Sequence, residues 1–264
     1  TGDSLTAVGT GALASNTTAN SNSAFGRSAL TANTTGIGNN AFGIQCQNGT
    51  TTGNFNTAMG HVTMFTNTTG AENSAFGGQA MYSTTTGANN TAMGSTALYA
   101  NTTGASNVAV GVQSLRLSTT AAGNTAVGFQ SGKALTTGAS NVAIGINALT
   151  AEQAGAHNTV VGEDAQAQSN GSSNCVSIGS LAGYQITTGD NNISIGLDAA
   201  RSGSPGGAVQ TGSNQICLGD ENIANAHIQV DWTIASDQRD KTDFTALDLG
   251  LDFVKALAPV TYKW

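Results

Sequence analysis

The chain has 264 residues and a formal net charge of −7, with 9% charged residues, 5% aromatic residues and 35 glycines. An ordinary globular domain carries about 25% charged residues, and an acidic balance argues against nucleic-acid binding, which needs a basic face. No apolar run approaches the roughly 18 residues of a spanning helix, so membrane insertion is not expected. Thr, Asn, Ser and Gly stand where charge would be. Such a chain either stays disordered or satisfies its polar groups in stacked ladders.

The chain opens at Thr1 with neither a signal peptide nor an initiator Met, which predicts a preceding part. From there one repeat dominates. The triplets Ala7-Val8-Gly9, Ala24-Phe25-Gly26 and Ala41-Phe42-Gly43 begin a series that continues to Ser194-Ile195-Gly196, and its glycine returns every 17 residues. The next triplet, Cys217-Leu218-Gly219, comes 23 residues after the last. One coil therefore carries a six-residue insertion around Arg201 to Gly207, within a variable segment 201–212.

Two further ladders run in phase. Gly36, Gly53, Gly70, Gly87, Gly104, Gly138, Gly155, Gly189 and Gly206 form one, with Ala121 and Ser172 filling its gaps, and most follow a Thr pair such as Thr34-Thr35. Asn22, Asn39, Asn56, Asn73, Asn90, Asn107, Asn124, Asn141, Asn158 and Asn192 form the other.

Helical-hairpin repeats need more than about 30 residues, so a period of 17 excludes them. The pattern predicts an all-β chain, a parallel β-solenoid or β-roll over residues 1–219, each coil holding two short strands and two turns. The glycines are expected to supply positive φ, and the Asn and Thr rows to stack coil on coil. At about 4.8 Å per coil the rod would be on the order of 60 Å long. In each strand the large residue (Phe25, Met59, Val110, Ile144) and the preceding Ala must face opposite ways. Both are apolar, so one face is expected inside the coil and the other against a neighbouring chain. A narrow coil has little interior, and a homotrimer would bury what one chain cannot.

The remaining side chains carry little chemistry. Cys46, Cys175 and Cys217 lack metal or redox spacing and read as small buried residues. His61, His157 and His227 are isolated, so neither a metal nor a cofactor is expected. Glu163-Asp164 and Asp220-Glu221 are neighbours in sequence, which points a strand's side chains apart and makes them turn charges rather than a glycosidase pair. The insertion at 201–212 is the best candidate for a protruding recognition loop.

After Gly219 the composition shifts. Residues 220–235 read as a connecting strand, alternating from His227 to Ala235. Residues 236–264 then form a short α+β segment. Asp243 caps a helix over 244–257, Pro259 stops it, and Val260 to Trp264 makes a strand.

Two resemblances follow. Asn-Val-Ala-Val-Gly at 107–111 and Asn-Val-Ala-Ile-Gly at 141–145 resemble the repeat of YadA-type trimeric adhesin heads, which are parallel β-rolls of three chains, and of phage tail fibres with Thr-Thr-Gly turns. This chain departs from the heads in its longer coil and its large Phe and Met residues. The run Ser236-Asp237-Gln238-Arg239-Asp240-Lys241, with Pro259-Val260-Thr261-Tyr262-Lys263-Trp264, resembles the start of the intramolecular chaperone domain of phage tailspikes and tail fibres. That family trimerises its fibre, assists folding and then cuts itself off. The resemblance implies Ser236 as nucleophile, Lys241 as base and Ala235–Ser236 as the scissile bond. Asp240 stands where the family often has an apolar residue.

Together the resemblances imply a trimeric tail-fibre segment of a virion, extracellular, with other fibre or virion proteins and a host surface glycan receptor as partners. It would be no metabolic enzyme, its only catalysis being one self-cleavage. The alternative is a bacterial adhesin head at the cell surface. An ice-binding solenoid is weaker, because the Thr pairs precede a turn glycine instead of lying on flat strands.

Overall fold

The computed structural model describes residues 3–204 and 206–227. Thr1–Ala224 forms one compact unit and Asn225–Trp264 a second. The first is a solenoid with one three-residue strand per coil. The strands are β1 (Thr6–Val8), β2 (Ser23–Phe25), β3 (Asn40–Phe42), β4 (Thr57–Met59), β5 (Ser74–Phe76), β6 (Thr91–Met93), β7 (Val108–Val110), β8 (Thr125–Val127), β9 (Val142–Ile144), β10 (Thr159–Val161), β11 (Val176–Ile178), β12 (Ile193–Ile195) and β13 (Ile216–Leu218). They pair in chain order as one 13-stranded sheet. Every pairing is parallel and in register, so Ala stacks on Ala and Phe25 on Phe42.

The expected second strand is absent among the described residues. Its place is taken by residues in left-handed conformation, such as Thr96 (φ 55°), Leu98 (φ 52°) and Ser106 (φ 59°) in one coil. A side chain there costs roughly 1–2 kcal/mol, but a 17-residue coil must turn fully around, and these residues turn it tightly. Their amides still join coils: Leu98 donates to Ser114 O (3.0 Å), and Thr96 and Ser106 donate to Gly78 O and Ala88 O (both 3.0 Å).

The two glycine rows do different work. The first has positive φ (Gly77, 129°), and a Cβ at Gly77 would lie 2.7 Å from the Gly94 carbonyl carbon of the next coil. The second row needs no positive φ; it leaves room for the next coil's carbonyl and the buried asparagines, and Ala121 is buried at the same register. Gly206 does not belong to it. Gly189 faces Gly212 instead, because the insertion shifts the register by six residues.

The asparagine row is an internal ladder, continuous from Asn22 to Asn158. Asn107 is fully buried. Its amide N–H and Nδ2 donate to Asn90 Oδ1 (3.0 and 3.1 Å), its Nδ2 also to Ala121 O (2.8 Å), and its Oδ1 accepts from the Asn124 amide (3.0 Å). Thr hydroxyls form an outer counterpart, Thr85 Oγ1 donating to Thr102 O (3.1 Å) and Thr102 Oγ1 to Thr119 O (3.0 Å).

From β2 onward the strand alanines point inward and are buried, as at Ala24, Ala58 and Ala92, so the large strand residues point out. The interior is filled by a side chain on the opposite wall: Leu30, Met64, Met81, Leu98, Leu115 and Leu149, each buried. Where that position is Gly132, Leu135 three residues on fills the space; Gly183 is complemented by Ile186 in the same way.

Candidate functional site

Three places bear on function. The first is the outer face of the sheet. Residues one and three of each strand face outward, and in β7, β9, β11, β12 and β13 both are aliphatic, as at Val142 and Ile144 or Ile193 and Ile195. Val8, Met59, Met93, Ile178, Ile195 and Leu218 are exposed. Phe25 and Phe42 stack on this face with ring centroids 4.9 Å apart. None of β1 to β13 places a charged residue on it. The face runs the length of the sheet.

The second place is the insertion. Its six extra residues lie between Arg201 and Val209, because Val209 N–H donates to Ala200 O (3.1 Å) and returns the chain to register. Buried Ser204 closes the loop: its hydroxyl accepts from Arg201 N–H (3.1 Å) and donates to Asp198 O (2.8 Å). Arg201 pairs with Asp198 and lies over Tyr184, 5.4 Å from the ring centroid. Beside the loop is a cleft of about 280 Å³ lined by Asp198, Arg201, Ser202, Asp220, Glu221 and Asn222. It is polar and open, whereas small-molecule sites are mostly apolar and start at roughly 300 Å³. Asn222 donates from its side chain and backbone to Asp220 (2.8 and 3.0 Å) and holds that carboxyl below its ordinary range.

The other side chains singled out in the sequence stay apart. Glu163 and Glu221 are exposed and Asp164 and Asp220 half-buried, and Asp164 accepts from Asn147 Nδ2 (3.0 Å). His61, His157 and His227 are exposed. No group of His, Cys, Asp and Glu among the described residues could hold a metal ion. The three cysteines are free and buried. Cys46 donates to Ala58 O (3.3 Å), and burial pushes its thiol up to about 12.

The third place is the C-terminal segment. Residues 220–227 contain a turn and no strand. The alternating stretch 228–235 lies outside the described residues, as do Ser236, Lys241, the bond between Ala235 and Ser236, and the helix over 244–257.

The sequence reading passed over the Asp198–Arg201 pair and the outward placement of the first strand residue. Their signals, an i, i+3 charge pair and a switch from Thr to Val and Ile, are local and faint.

No curated protein and no solved structure matches the chain. Residues 236–264 match a protein family, the chaperone of endosialidase (Peptidase_S74). The chain thus joins a β-solenoid of 17-residue coils to a C-terminal segment similar to the chaperone of endosialidase.

Proposed function

We propose that the chain is a structural, adhesive segment of a phage tail fibre or tailspike, assembled as a homotrimer. Its solenoid is the shaft, and the segment from Ser236 assists trimerisation and folding. The observation that carries this reading is the family match at 236–264, C-terminal to a solenoid whose last strand ends at Leu218. The uncharged apolar face along the sheet supports trimerisation, since three copies packed face to face would remove it from water. The insertion at 201–212 is the surface offered to a host glycan. Self-cleavage is the only chemistry in this reading: Ser236 Oγ attacks the Ala235 carbonyl as Lys241 takes the hydroxyl proton, the Ala235–Ser236 amide breaks as its nitrogen takes up a proton, and water hydrolyses the resulting ester to free the Ala235 carboxylate.

The test is native and denatured mass on the same sample of the full-length protein. The expected result is a trimer whose subunits end at Ala235, with Ser236→Ala leaving the chain whole. A trimer with uncut wild-type subunits would remove the protease and keep the shaft. A monomer would overturn the trimeric fibre.

A further inference from the structure

Glu152 is the one acidic side chain among the described residues that is fully buried. It occupies the register that Asn67 and Asn101 hold in other coils. In those coils the three following amides bond to the next coil: Thr68, Thr69 and Gly70 all donate to Thr85 O (3.0, 3.1 and 3.2 Å). Here they turn back. Gln153, Ala154 and Gly155 N–H donate to Glu152 Oε1 (3.0, 3.1 and 2.6 Å). The same oxygen accepts from Gly171 N–H of the next coil (2.7 Å), and Oε2 accepts from Ser169 Oγ (2.6 Å). One carboxylate has replaced a rung of backbone hydrogen bonds at this corner.

Two other features change at the same place. The main apolar core ends at Ala165, and a second begins at Ile186. Between them the interior is polar: Gln166 donates to Ser172 Oγ (2.9 Å) and accepts from Ser177 Oγ (2.9 Å). The asparagine ladder is also interrupted, by Cys175, whose thiol donates to Gly189 O (3.3 Å) and offers no side-chain oxygen to the coil above. The sheet passes through intact, β9 to β10 to β11 in register, and so do backbone rungs away from it, such as Asp164 N–H to Ile146 O and Leu181 N–H to Glu163 O (both 2.9 Å), so the changes are confined to the Glu152 corner and the coil interior.

We infer that coil 159–175 is a seam, where a polar interior and the Glu152 carboxylate replace the apolar core and one backbone rung, and that it lets the coils from Val176 to Gly219 open and reclose apart from the shaft before them. The physical reason is that a solenoid's stability is a sum of repeat and neighbour-interface terms, so a weak interface divides it into separately opening units. The unit that opens carries the insertion and leads to the matched segment at 236–264.

Native-state hydrogen exchange on the full chain tests this. In the wild type, amides of β11 and β12 are expected to exchange together and at least tenfold faster than those of β4 to β8. Glu152→Ala should speed β11 and β12 by a further tenfold or more and leave β4 to β8 unchanged. Glu152→Asn, which restores the side chain of other coils, should slow β11 and β12 relative to Glu152→Ala. One common exchange rate across β4 to β12 in the wild type would overturn the seam. So would a loss of protection in Glu152→Ala spread evenly over the whole sheet. If Glu152→Ala does not fold, the wild-type profile decides alone.

Discussion

Asn107 uses every polar atom of its side chain within the ladder, so its replacement strikes two coils at once. Asn107→Ala should cost about 3 kcal/mol, because it orphans the Asn124 amide and the Ala121 carbonyl, and such buried groups cost roughly 1–3 kcal/mol each. Asn107→Asp should cost more at neutral pH, since it sets a carboxylate oxygen against the Ala121 carbonyl. Chemical denaturation midpoints would rank the two. Cys46 gives a pH prediction. Its thiol is raised from 9.0 to about 12 in the folded chain, chiefly by burial. The proton is thus held more tightly folded than unfolded. The contribution to stability is complete below pH 9 and is lost as pH rises towards about 12. Cys46→Ala places the residue found at the same register in Ala29 and Ala80. The variant should show a shallower fall in stability over that window; an equal slope would show that burial does not govern this thiol.

At the scale of the coil, the interior accepts one large side chain, and either of two positions can supply it. Gly132 with Leu135 and Leu98 with Asn101 are the two solutions. A Cβ on Gly132 would lie 3.0 Å from Leu115 Cδ2 and 3.1 Å from Leu135 Cδ1. Gly132→Leu alone should therefore destabilise by about 1–3 kcal/mol through overpacking. The double variant Gly132→Leu, Leu135→Asn copies the other coils and should recover most of that loss. Backbone strain is not the obstacle, since Gly132 has φ 57° and the buried Leu30 and Leu149 have 51° and 54°. Thermal melts of the two variants decide the matter: no recovery in the double variant would mean that the coil interiors are not interchangeable.

At the scale of the whole molecule, the proposed trimer would rest on the outer face. Ile144 and Ile178 are exposed in its C-terminal half and take no part in the coil interior. Ile144→Asp with Ile178→Asp should leave the solenoid folded and lower the native mass from trimer to monomer, because each interface would then bury several unpaired carboxylates. Light scattering reads the mass, and far-ultraviolet circular dichroism checks the fold. An unchanged mass would place the subunit interface elsewhere.

Much of this was legible in the sequence, because a strict period transmits local chemistry to every coil. The invariant 17-residue spacing by itself determined a parallel, in-register β-solenoid, with its Asn ladder, its first glycine row and the site of the insertion. The C-terminal motif was legible as well, since its residues stand close together in sequence, at Ser236 to Lys241 and again at Pro259 to Trp264. The sequence could not say that the far side of the coil is built from left-handed residues, because Leu, Gln and Thr carry no mark of that conformation. Nor could it assign the faces of the strand, where both candidates are apolar; the structure put the small alanine inside because the coil is too narrow for phenylalanine there. The Glu152 clasp was equally hidden. A glutamate in a polar repeat reads as a surface charge, and only the three-dimensional stacking of coils brings the amides of its own turn and of the next onto one carboxylate oxygen.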